Sequence, residues 1–466
     1  MSNKQRLNAI GVEIPSILLS KTASSTAWPV IACDQFTQDR DYWKKAKETA
    51  GNAPSALNLI IPEVFLSDED VTQRITDIHS TMKKYLGSGV FNDPMQGFMY
   101  IERDTPYRKK RRGLVAAIDL EQYEWNPNAR PLIRSTEGTV AERLPARMDV
   151  RRGAPLELPH VLLLIDDDSA EGDDSAKGDD TNSLLSTLGE KIKNVSPVYS
   201  TPLMMNSGSV TGWFINNEND LAFIAEKLNV LFQRSVTRYE GNKPFLFAVG
   251  DGNHSLAAAK GIWDEIKAAH SGNGLPDHPC RYALVEIENI YDAAIQFEPI
   301  HRLVFDIGYD DTIKLLSELP DFSCRSVNDT SELSKAVSQP SSGNRAGNRF
   351  GLISEGRYAL IETSACGIAT ACLQPLLDRY AKDNPLLIDY IHDEAEVLRL
   401  AGLTAKGSLT AQGCLSERRA AGILLPPVQK SGLFETVARL GPLPRKSFSM
   451  GHSVEKRFYL EARGIL

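Results

Sequence analysis

KPFLFAVGDGNHSLAAAK, residues 243–260, is the segment that decides our prediction of the fold. Its apolar run 245–249 predicts a buried strand, the glycines that follow end this strand, and the alanine-rich run predicts a helix. Asn253, His254 and Ser255 fall at the start of the helix, where unpaired backbone N–H groups and the helix dipole attract anions. This order predicts a phosphate or carboxylate site that contains an imidazole. An ordinary turn capped by Asn253 or Ser255 is the alternative interpretation.

Length and composition limit the class of protein. The chain has 466 residues, enough for two to three domains of about 150 residues each. A net charge of -8 gives no overall attraction to nucleic acid, so we expect a small-molecule substrate and no nucleic-acid partner. The composition is also compatible with a homodimer. The start of the chain, MSNKQRLNAIGVEIP, lacks the apolar core of a signal peptide, and no run of about 18 apolar residues occurs, which predicts a cytoplasmic protein without a membrane partner.

The hydrophobic pattern predicts a mixed α/β (α+β) fold. Further strands are expected at 29–34, 97–103, 111–120, 160–167 and 282–290, and helices at 38–48 and 68–86. Segment 57–65 is apolar but contains Pro62, which predicts an irregular segment or an edge strand. We divide the chain into an N-terminal α/β part (1–160), a central part (161–305), a small appended α/β subdomain (306–380) and a C-terminal segment that returns to the site (381–466).

A second unusual segment, LIRSTEGTVAERLPARMDVRR at 132–152, alternates charges of opposite sign. A helix from about Thr136 would place Arg143 and Arg147 on one face and Glu137 on another. An exposed helix stabilised by salt bridges is the structural interpretation. The functional interpretation is an arginine clamp with a carboxylate, since guanidinium groups fit phosphate oxygens well.

Other polar residues stand next to predicted strands and turns. Asp34 follows a predicted strand, and the acidic segment 168–182 predicts a surface loop without a metal site. The cysteines form no C-x-x-C pair, so no zinc site is indicated, and the metal ligands stay unknown. The remaining candidates lie after residue 300: His301, Arg302, Asp389, His392, Lys446, Ser449 and His452.

The segment GDGNHSLAAAK resembles the D-G-H-H-R or D-G-N-H-R strand-turn-helix of the ParB/sulfiredoxin-like superfamily, which includes the free serine kinases. From about residue 10 onward the chain also resembles a widespread bacterial family of unassigned function. The segments that carry this second resemblance include ACDQFT, APSALNLIIPE, IRSTEGTVAER, APLELPHVLLLIDD, FEPIHRLVF, GILLPP and RKSFSMGHSVEKRFYLE. The resemblance implies a ParB/sulfiredoxin-like core with a mixed sheet and appended subdomains.

The resemblance also implies roles for the turn. Its residues Gly252, Asn253, His254 and Ser255 would hold phosphates, and Asp251 would lie near a metal or a nucleophile. Two positions depart from the commoner pattern, because Asn253 stands where His is frequent and Ser255 where Arg is usual. The missing positive charge would then come from other segments. The candidates for it are Arg134, Arg143, Arg302 and Lys446.

These observations predict a phosphotransferase or phosphohydrolase for a small metabolite, with serine or phosphoserine as the substrate that the resemblance implies. His254 or Glu137 would act as general acid or base, beside Asp251. Mg²⁺ is the expected ion, and a nucleotide or pyrophosphate the phosphate donor or acceptor. Two alternatives stay open: a non-catalytic regulator that binds a nucleotide or phosphometabolite, and a hydrolase with a covalent intermediate on His254. Walker, G-x-S-x-G, H-E-x-x-H and G-x-G-x-x-G motifs do not occur.

Overall fold

The computed structural model describes residues 1–37, 39–108, 110–168, 180–239, 243–270, 275, 277–339, 347–365, 367–384, 386–404 and 419–466, with 402–404 described by their backbone alone. The fold is mixed α/β, as predicted. The chain divides into two compact units: unit 1 is Met1–Ile295 with Gly451–Leu466, and unit 2 is Gln296–Met450. Among the helices in these ranges, none has the length and apolar character that a membrane crossing requires.

Unit 1 contains seven of the described helices and is built mainly around one sheet. The helices are α1 (Asn3–Asn8), α2 (Arg40–Ala50), α3 (Val71–Gly87), α4 (Leu144–Arg151), α5 (Leu184–Ile192), α6 (Glu218–Arg238) and α7 (Asn253–Ala269). The strands before the insertion of unit 2 are β1 (Val12–Glu13), β2 (Ser16–Leu19), β3 (Val30–Ile31), β4 (Met95–Gln96), β5 (Phe98–Asp104), β6 (Arg111–Asp119), β7 (Ile133–Ser135), β8 (Leu156–Glu157), β9 (Leu162–Ile165), β10 (Tyr199–Pro202), β11 (Ser209–Ile215), β12 (Phe247–Asp251) and β13 (Tyr282–Asn289).

The main sheet has nine strands in the order β10-β11-β5-β6-β13-β9-β12-β7, with β1 also paired to β6. It is mixed because β9 runs parallel to β13 and β7 runs parallel to β12, whereas the other neighbours are antiparallel. Strand β12 lies between β9 and β7, with Asp251 opposite Leu162 and Val249 opposite Ser135. The segment after β7 and the segment before β9 therefore meet at the end of β12, which is where the predicted anion site begins.

The chain returns to unit 1 after residue 450 and adds two short strands, β22 (Phe458–Tyr459) and β23 (Glu461–Gly464). Strand β22 pairs with β3, and β23 joins a four-stranded sheet with β2, β4 and β8. Because Tyr459 pairs with Val30, the residues just before β22 lie beside the segment that follows β3. Cys33 and Asp34 belong to that segment.

Unit 2 has its own antiparallel sheet of six strands in the order β16-β18-β17-β20-β15-β19, and a separate pair of strands, β14 and β21. Its strands are β14 (Phe297–Pro299), β15 (His301–Phe305), β16 (Ser323–Ser326), β17 (Asn348–Ser354), β18 (Arg357–Thr363), β19 (Ile388–Ile391), β20 (Ala420–Leu424) and β21 (Phe448–Met450). Its helices are α8 (Tyr309–Leu316), α9 (Thr330–Ser338), α10 (Ala369–Asp383), α11 (Glu394–Thr404) and α12 (Leu433–Leu440). Leu316, Phe350, Leu373 and Ile423 contribute to an apolar core within this unit.

Most predicted elements are confirmed within a few residues, but one, the helix from about Thr136, is wrong. Segment 57–65 is irregular, as one of the two interpretations had it, with short 3₁₀ turns at Ala56–Leu59 and Glu63–Phe65. No helix begins at Thr136, because this segment continues from β7 and the Thr136 hydroxyl donates to Val249 O at 2.6 Å. Helix α4 begins only at Leu144, where Pro145 suits the first helical turn. Most of the acidic segment 168–182 lies outside the described residues.

The four predicted parts relate to the two units as follows. The boundary at 160/161 falls inside the nine-stranded sheet of unit 1, where strands from both sides hydrogen-bond to each other. The boundary at 305/306 falls at the end of β15 in unit 2, and the one at 380/381 falls inside α10. The chain thus leaves unit 1 at residue 295 and comes back to it at residue 451.

Candidate functional site

The predicted strand-turn-helix is confirmed: β12 ends at Asp251, Gly252 forms the turn and α7 begins at Asn253. Gly252 has a φ of 77°, and a Cβ on it would lie 2.9 Å from Val161 Cα and 3.3 Å from His160 Cδ2. Glycine is required both for the backbone conformation and for the close approach of residues 160 and 161. Since glycine has no side chain to cap α7, the first turn of a 17-residue helix points its N–H groups and positive dipole end into the site.

We expect Gly252→Ala to disturb this turn more than a surface substitution would. Left-handed backbone is unfavourable for alanine by about 1 kcal/mol, and the contact with Val161 adds to this. The variant should unfold at a midpoint about 2 °C lower and bind inorganic phosphate at least tenfold more weakly, measured by thermal unfolding and calorimetry. Gly153→Ala, also at positive φ but with nothing within 4 Å of its Cβ, is the control and should lose stability without losing phosphate affinity.

A buried ion pair lies at the end of β12. Lys456 Nζ is 3.2 Å from Asp251 Oδ2, and Asp251 Oδ1 accepts a hydrogen bond from Gly252 N at 3.0 Å. Burial acts to raise the pKa of Asp251, but the Lys456 ammonium outweighs it and holds the pKa below its ordinary value. The site therefore pairs a carboxylate that favours its ionised form with a primary ammonium. Lys456 was not among the sequence candidates, although it follows the predicted loop residue His452 closely.

A chain of hydrogen bonds reaches Ser255 from the opposite side. Ser255 Oγ is 2.9 Å from His160 Nε2, His160 Nδ1 is 2.7 Å from Tyr459 Oη, and Asp34 Oδ2 lies 3.9 Å from His160 Nε2. His160 is 8% exposed and Tyr459 2% exposed. Sequence reasoning placed Asp34 and Ser255 among the candidates and missed His160 and Tyr459. The sequence signal for His160 was its position immediately before the apolar run of β9.

The loop after β7 covers the first turn of α7. Asn253 Nδ2 donates to Glu137 O at 2.7 Å, and the Val140 N–H donates to His254 Nε2 at 3.2 Å. Asn253 Oδ1 is buried and accepts no hydrogen bond from the described residues. The structure thus brings the predicted Glu137 segment, Asn253 and His254 together. Because His254 accepts at Nε2, its neutral ring carries the proton on Nδ1.

Three of the arginines in segment 132–152, namely Arg134, Arg143 and Arg147, do not share one place. Arg134 is buried and donates to the carbonyls of Pro131, Lys243 and Pro244, with its guanidinium 4.7 Å above the Phe245 ring. These contacts lie before the start of β12, at the end of the strand opposite the turn. Burial lowers the pKa of Arg134 to about 10. Arg134 therefore holds the approach to β12 and does not line the turn.

Arg143 and Arg147 lie at the start of α4. Arg143 is exposed, and its carbonyl accepts from Arg147 Nη1 at 2.8 Å. Arg147 forms an ion pair with Glu63, the residue that follows Pro62. Burial lowers the pKa of Arg147, while Cys33 and Asp34 act in the opposite direction, so these groups lie within electrostatic range of its guanidinium. Arg147 is the arginine of this segment that the structure places beside Asp34.

His452 lies in unit 1 at the tip of the β5–β6 hairpin. Its ring stacks on Tyr107 with 4.3 Å between ring centroids, and its backbone N–H donates to Glu455 at 2.8 Å. Glu455 in turn accepts from the Thr105 hydroxyl at 3.0 Å. The contacts of His452 are therefore those of a residue that fixes the start of the C-terminal segment.

The other sequence candidates belong to unit 2. His301 Nδ1 accepts from the Leu425 N–H at 3.0 Å, and burial lowers its pKa to about 4, so the ring is neutral. Arg302 is fully buried, donates to Gln374 Oε1 at 2.8 Å and lies 4.6 Å above the Tyr390 ring. Both residues have the environment of core side chains.

Four further candidates lie at the surface or in strands of unit 2. Asp389 lies in β19 and accepts from the Tyr390 N–H at 2.8 Å, and the exposed His392 follows at the predicted strand-to-helix junction. Lys446 is exposed in a turn with a φ of 59°, and Ser449 lies in β21 opposite Glu298. Their part in a phosphate site stays a prediction.

A buried ionic cluster fixes the segment that carries Lys456 and Tyr459. Its six members are each at most 1% exposed: Arg103, Arg111, Arg457, Glu286, Glu288 and Glu461. Arg457 Nη1 is 2.8 Å from Glu286, Arg457 Nη2 pairs with Glu461, and Arg457 Nε donates to Pro159 O at 3.4 Å. Arg103 donates to Lys456 O at 3.3 Å. The cluster thereby ties the neighbours of Lys456 and His160 to the main sheet.

The carboxylates available for a metal are few. Within the described ranges, no group of three or more His, Cys, Asp and Glu side chains is arranged to hold an ion. Asp251 already pairs with Lys456, and Asp34 lies 3.9 Å from His160. Mg²⁺ in phosphoryl-transfer sites is commonly held by one or two carboxylates together with phosphate oxygens. The residues present fit a Mg²⁺ ion that arrives with a phosphate ligand, and they do not form a complete protein cage.

A family model described as "Protein of unknown function (DUF1015)" matches residues 19–380. No curated protein matches the chain. Among solved structures, the chain is similar to a free serine kinase in complex with AMP, at 12% identity over 78% of this chain and 94% of that one, with a TM-score of 0.34. It is also similar to a conserved hypothetical protein from Pyrococcus furiosus (11%, 74% and 90%, TM-score 0.32) and to SbnI with C-terminal truncation from Staphylococcus aureus (8%, 74% and 82%, TM-score 0.30).

Proposed function

Because the chain belongs to the DUF1015 family of proteins of unknown function, we propose its activity from its own site: the transfer or hydrolysis of a phosphoryl group on a small metabolite. The observation that supports this most is the uncapped start of α7 at Gly252, flanked by Lys456 and Ser255. Backbone N–H groups, an ammonium and a hydroxyl around one point are the donors that a phosphate group requires.

The roles within this site follow from charge and position. Phosphoryl transfer needs cations around the moving group and a base for the attacking hydroxyl, with little covalent chemistry from the protein. The start of α7, Lys456 and Ser255 would bind the phosphoryl oxygens. We assign Glu137, whose backbone carbonyl accepts from Asn253 beside the helix start, as the carboxylate that would accept the hydroxyl proton, with Asp34 as the second candidate. His254 donates through Nδ1, since its Nε2 accepts from the Val140 N–H.

Mg²⁺ and a nucleotide or pyrophosphate complete the proposal. When bound with a phosphate donor, Mg²⁺ would supply charge neutralisation to the phosphate oxygens, and Asp251 is the carboxylate that would hold it. Serine or phosphoserine is the proposed substrate. That choice rests on the sequence resemblance of GDGNHSLAAAK to the free serine kinases, with Asn253 Oδ1 as a buried acceptor for a hydroxyl or ammonium group of the substrate.

Turnover assays test this proposal directly. The purified chain is incubated with Mg²⁺ and serine plus ATP, ADP or pyrophosphate, and separately with phosphoserine, while free phosphate and phosphoserine are measured. We expect turnover in at least one mixture, and a loss of about 10- to 100-fold in His254→Ala, which removes a donor at the start of α7. His270→Gln, at the exposed far end of the same helix, is the control and should retain full activity.

A regulator that binds a nucleotide without turnover is the second candidate. It is favoured by one observation: both Asp251 and His254 Nε2 are already engaged, by Lys456 and by the Val140 N–H. The same experiment separates the two. Turnover in none of the mixtures, together with a higher thermal midpoint in the presence of a nucleotide, would contradict the enzyme and support the regulator. Acid-labile phosphate retained on the wild-type chain but not on His254→Ala would instead indicate a covalent histidine intermediate.

A further inference from the structure

The hydrogen-bond chain that ends at Ser255 begins at a backbone amide. Cys33 N donates to Tyr459 Oη at 3.2 Å, Tyr459 Oη lies 2.7 Å from His160 Nδ1, and His160 Nε2 lies 2.9 Å from Ser255 Oγ. A backbone N–H can only donate, so this end of the chain has a fixed direction. The direction at Ser255 depends on where the hydroxyl proton of Tyr459 goes.

Two acceptors are within reach of that proton. Burial raises the pKa of Tyr459 well above its ordinary value, so the phenol keeps its proton. His160 Nδ1, 2.7 Å from the phenol oxygen, is one acceptor, and the thiol of Cys33, whose backbone N–H donates to the same oxygen, is the alternative. An unprotonated imidazole nitrogen is a much stronger acceptor than a thiol sulfur. The Tyr459 hydroxyl therefore donates to His160 Nδ1.

The other ring nitrogen must then carry the proton of a neutral His160. Asp34 Oδ2 lies 3.9 Å from His160 Nε2, and a carboxylate favours a proton on the nitrogen that faces it. Both neighbours of the ring, Tyr459 on one side and Asp34 on the other, thus select the same tautomer. In this tautomer His160 Nε2–H donates to Ser255 Oγ.

Building on the proposed phosphate site, we propose that His160 is a positioning residue, held by Tyr459 as the Nε2–H tautomer so that the Ser255 hydroxyl donates its own proton to a bound oxyanion. A serine hydroxyl has one donor and two acceptor positions. Once Ser255 Oγ accepts from His160, its own proton and one acceptor position remain, and among the described residues the structure gives that proton no other partner. Ser255 lies in the first turn of α7, where the backbone N–H groups attract the same anion.

The opposite direction of the hydrogen bonds between Tyr459, His160 and Ser255 would have a different chemical consequence. With the proton on His160 Nδ1, the phenol would donate to Cys33, and His160 Nε2 would accept from the Ser255 hydroxyl. Ser255 and His160 would then form a nucleophile and its general base. The two states use identical distances and differ in the position of one proton, so measuring that position decides between an anion donor and a nucleophile.

His254 provides an internal reference for the measurement. It lies one residue before Ser255 but accepts a hydrogen bond at Nε2 from the Val140 N–H, which selects the Nδ1–H tautomer. Two histidines on either side of the same helix start are therefore expected in opposite tautomers. Long-range proton–nitrogen NMR correlations of neutral histidine rings distinguish the two forms.

The first experiment uses the full chain labelled with nitrogen-15 in its histidines, at a pH where the rings are neutral. His160→Gln and His254→Gln assign the two signals. We expect the protonated-nitrogen shift at Nε2 for His160 and at Nδ1 for His254. The Nδ1–H pattern for His160 would overturn the proposal. In Tyr459→Phe the His160 signal should lose its pure Nε2–H pattern, and an unchanged pattern would show that Tyr459 does not select the tautomer.

The second experiment measures inorganic phosphate binding by calorimetry. Loss of one donor to an anion weakens binding by about tenfold, so we expect this for Ser255→Ala. His160→Leu should weaken binding similarly, whereas His160→Gln, whose side-chain amide can still donate to Ser255, should stay within about threefold of wild type. His270→Gln is the control. Thermal midpoints close to wild type confirm that the variants are folded.

The outcomes separate this inference from the proposed function. Wild-type phosphate affinity in Ser255→Ala, with turnover intact in the wild-type chain, overturns the donor role of Ser255 and leaves the proposed function standing. No phosphate binding by the wild-type chain contradicts the proposed function, and the NMR pattern of His160 still decides the tautomer by itself.

Discussion

Arg457→Met is expected to lower the free energy of unfolding by about 3–5 kcal/mol, because it leaves buried carboxylates without their counter-charge. Arg457 pairs with both Glu286 and Glu461, and all three side chains are at most 1% exposed. Burial acts to raise the pKa of Glu286, but Arg103 and Arg457 outweigh it and keep the pKa below its ordinary value. The Glu286 carboxylate is therefore charged in the folded protein. Removing the Arg457 guanidinium leaves this buried charge without its partner, which lowers the free energy of unfolding.

Urea unfolding followed by tryptophan fluorescence measures this loss, with the slope of the transition compared between variants. The matched control is Arg152→Met. Arg152 pairs with Glu265 at 3.0 Å, but both side chains are about half exposed, and such surface pairs contribute at most about 1 kcal/mol. Equal losses in the two variants would contradict the role we assign to the buried ionic cluster.

Lys456→Met is expected to reduce phosphoryl transfer by about 100-fold and to weaken phosphate binding by about tenfold, since it removes the cation beside the start of α7. It also removes the group that lowers the pKa of Asp251. Burial is then opposed by His160 and the Gly252 N–H without the ammonium, so the pKa of Asp251 should be higher than in the wild-type protein. The activity that remains should then decrease at a higher pH than in the wild-type protein as the pH falls.

Turnover, phosphate affinity and a pH profile are measured together for this variant. Lys267→Met is the control, because Lys267 lies on α7 but pairs with Glu121 at 2.7 Å, away from the helix start. Lys456→Arg retains the charge and should recover most of the phosphate affinity. If Lys456→Met bound phosphate as tightly as the control, Lys456 would serve only to neutralise Asp251.

The turn of the site was predictable from the sequence because its determinants are local. A five-residue apolar run, Gly252 and the polar residues 253–255 are contiguous, and each acts through its own backbone conformation or helix position. The same holds for Asp34, at the end of a predicted strand with a clear apolar pattern, whereas Glu137 was expected in a helix from about Thr136 that the structure does not contain. The mixed α/β class followed from these patterns as well.

The partners of the turn were not predictable, because they depend on strand pairing between distant segments. His160 reaches Ser255 because β9 pairs with β12, and Tyr459 reaches His160 because β22 pairs with β3. Arg134 looked like a phosphate ligand by charge and spacing, but in the structure its guanidinium lies against backbone carbonyls at the other end of β12. Charge alone does not tell which end of a strand a long side chain occupies.

The return of the chain to unit 1 at residue 451 has a consequence for how the protein is made. Lys456 and Tyr459 are synthesised about 200 residues after the turn that they complete, with all of unit 2 in between. While the ribosome is still adding unit 2, the nascent chain has Glu286 but not the Arg457 that pairs with it. Unit 1 therefore acquires this counter-charge and Lys456, the cation of the proposed phosphate site, in the same late step, and a chain that stops at residue 450 would lack both.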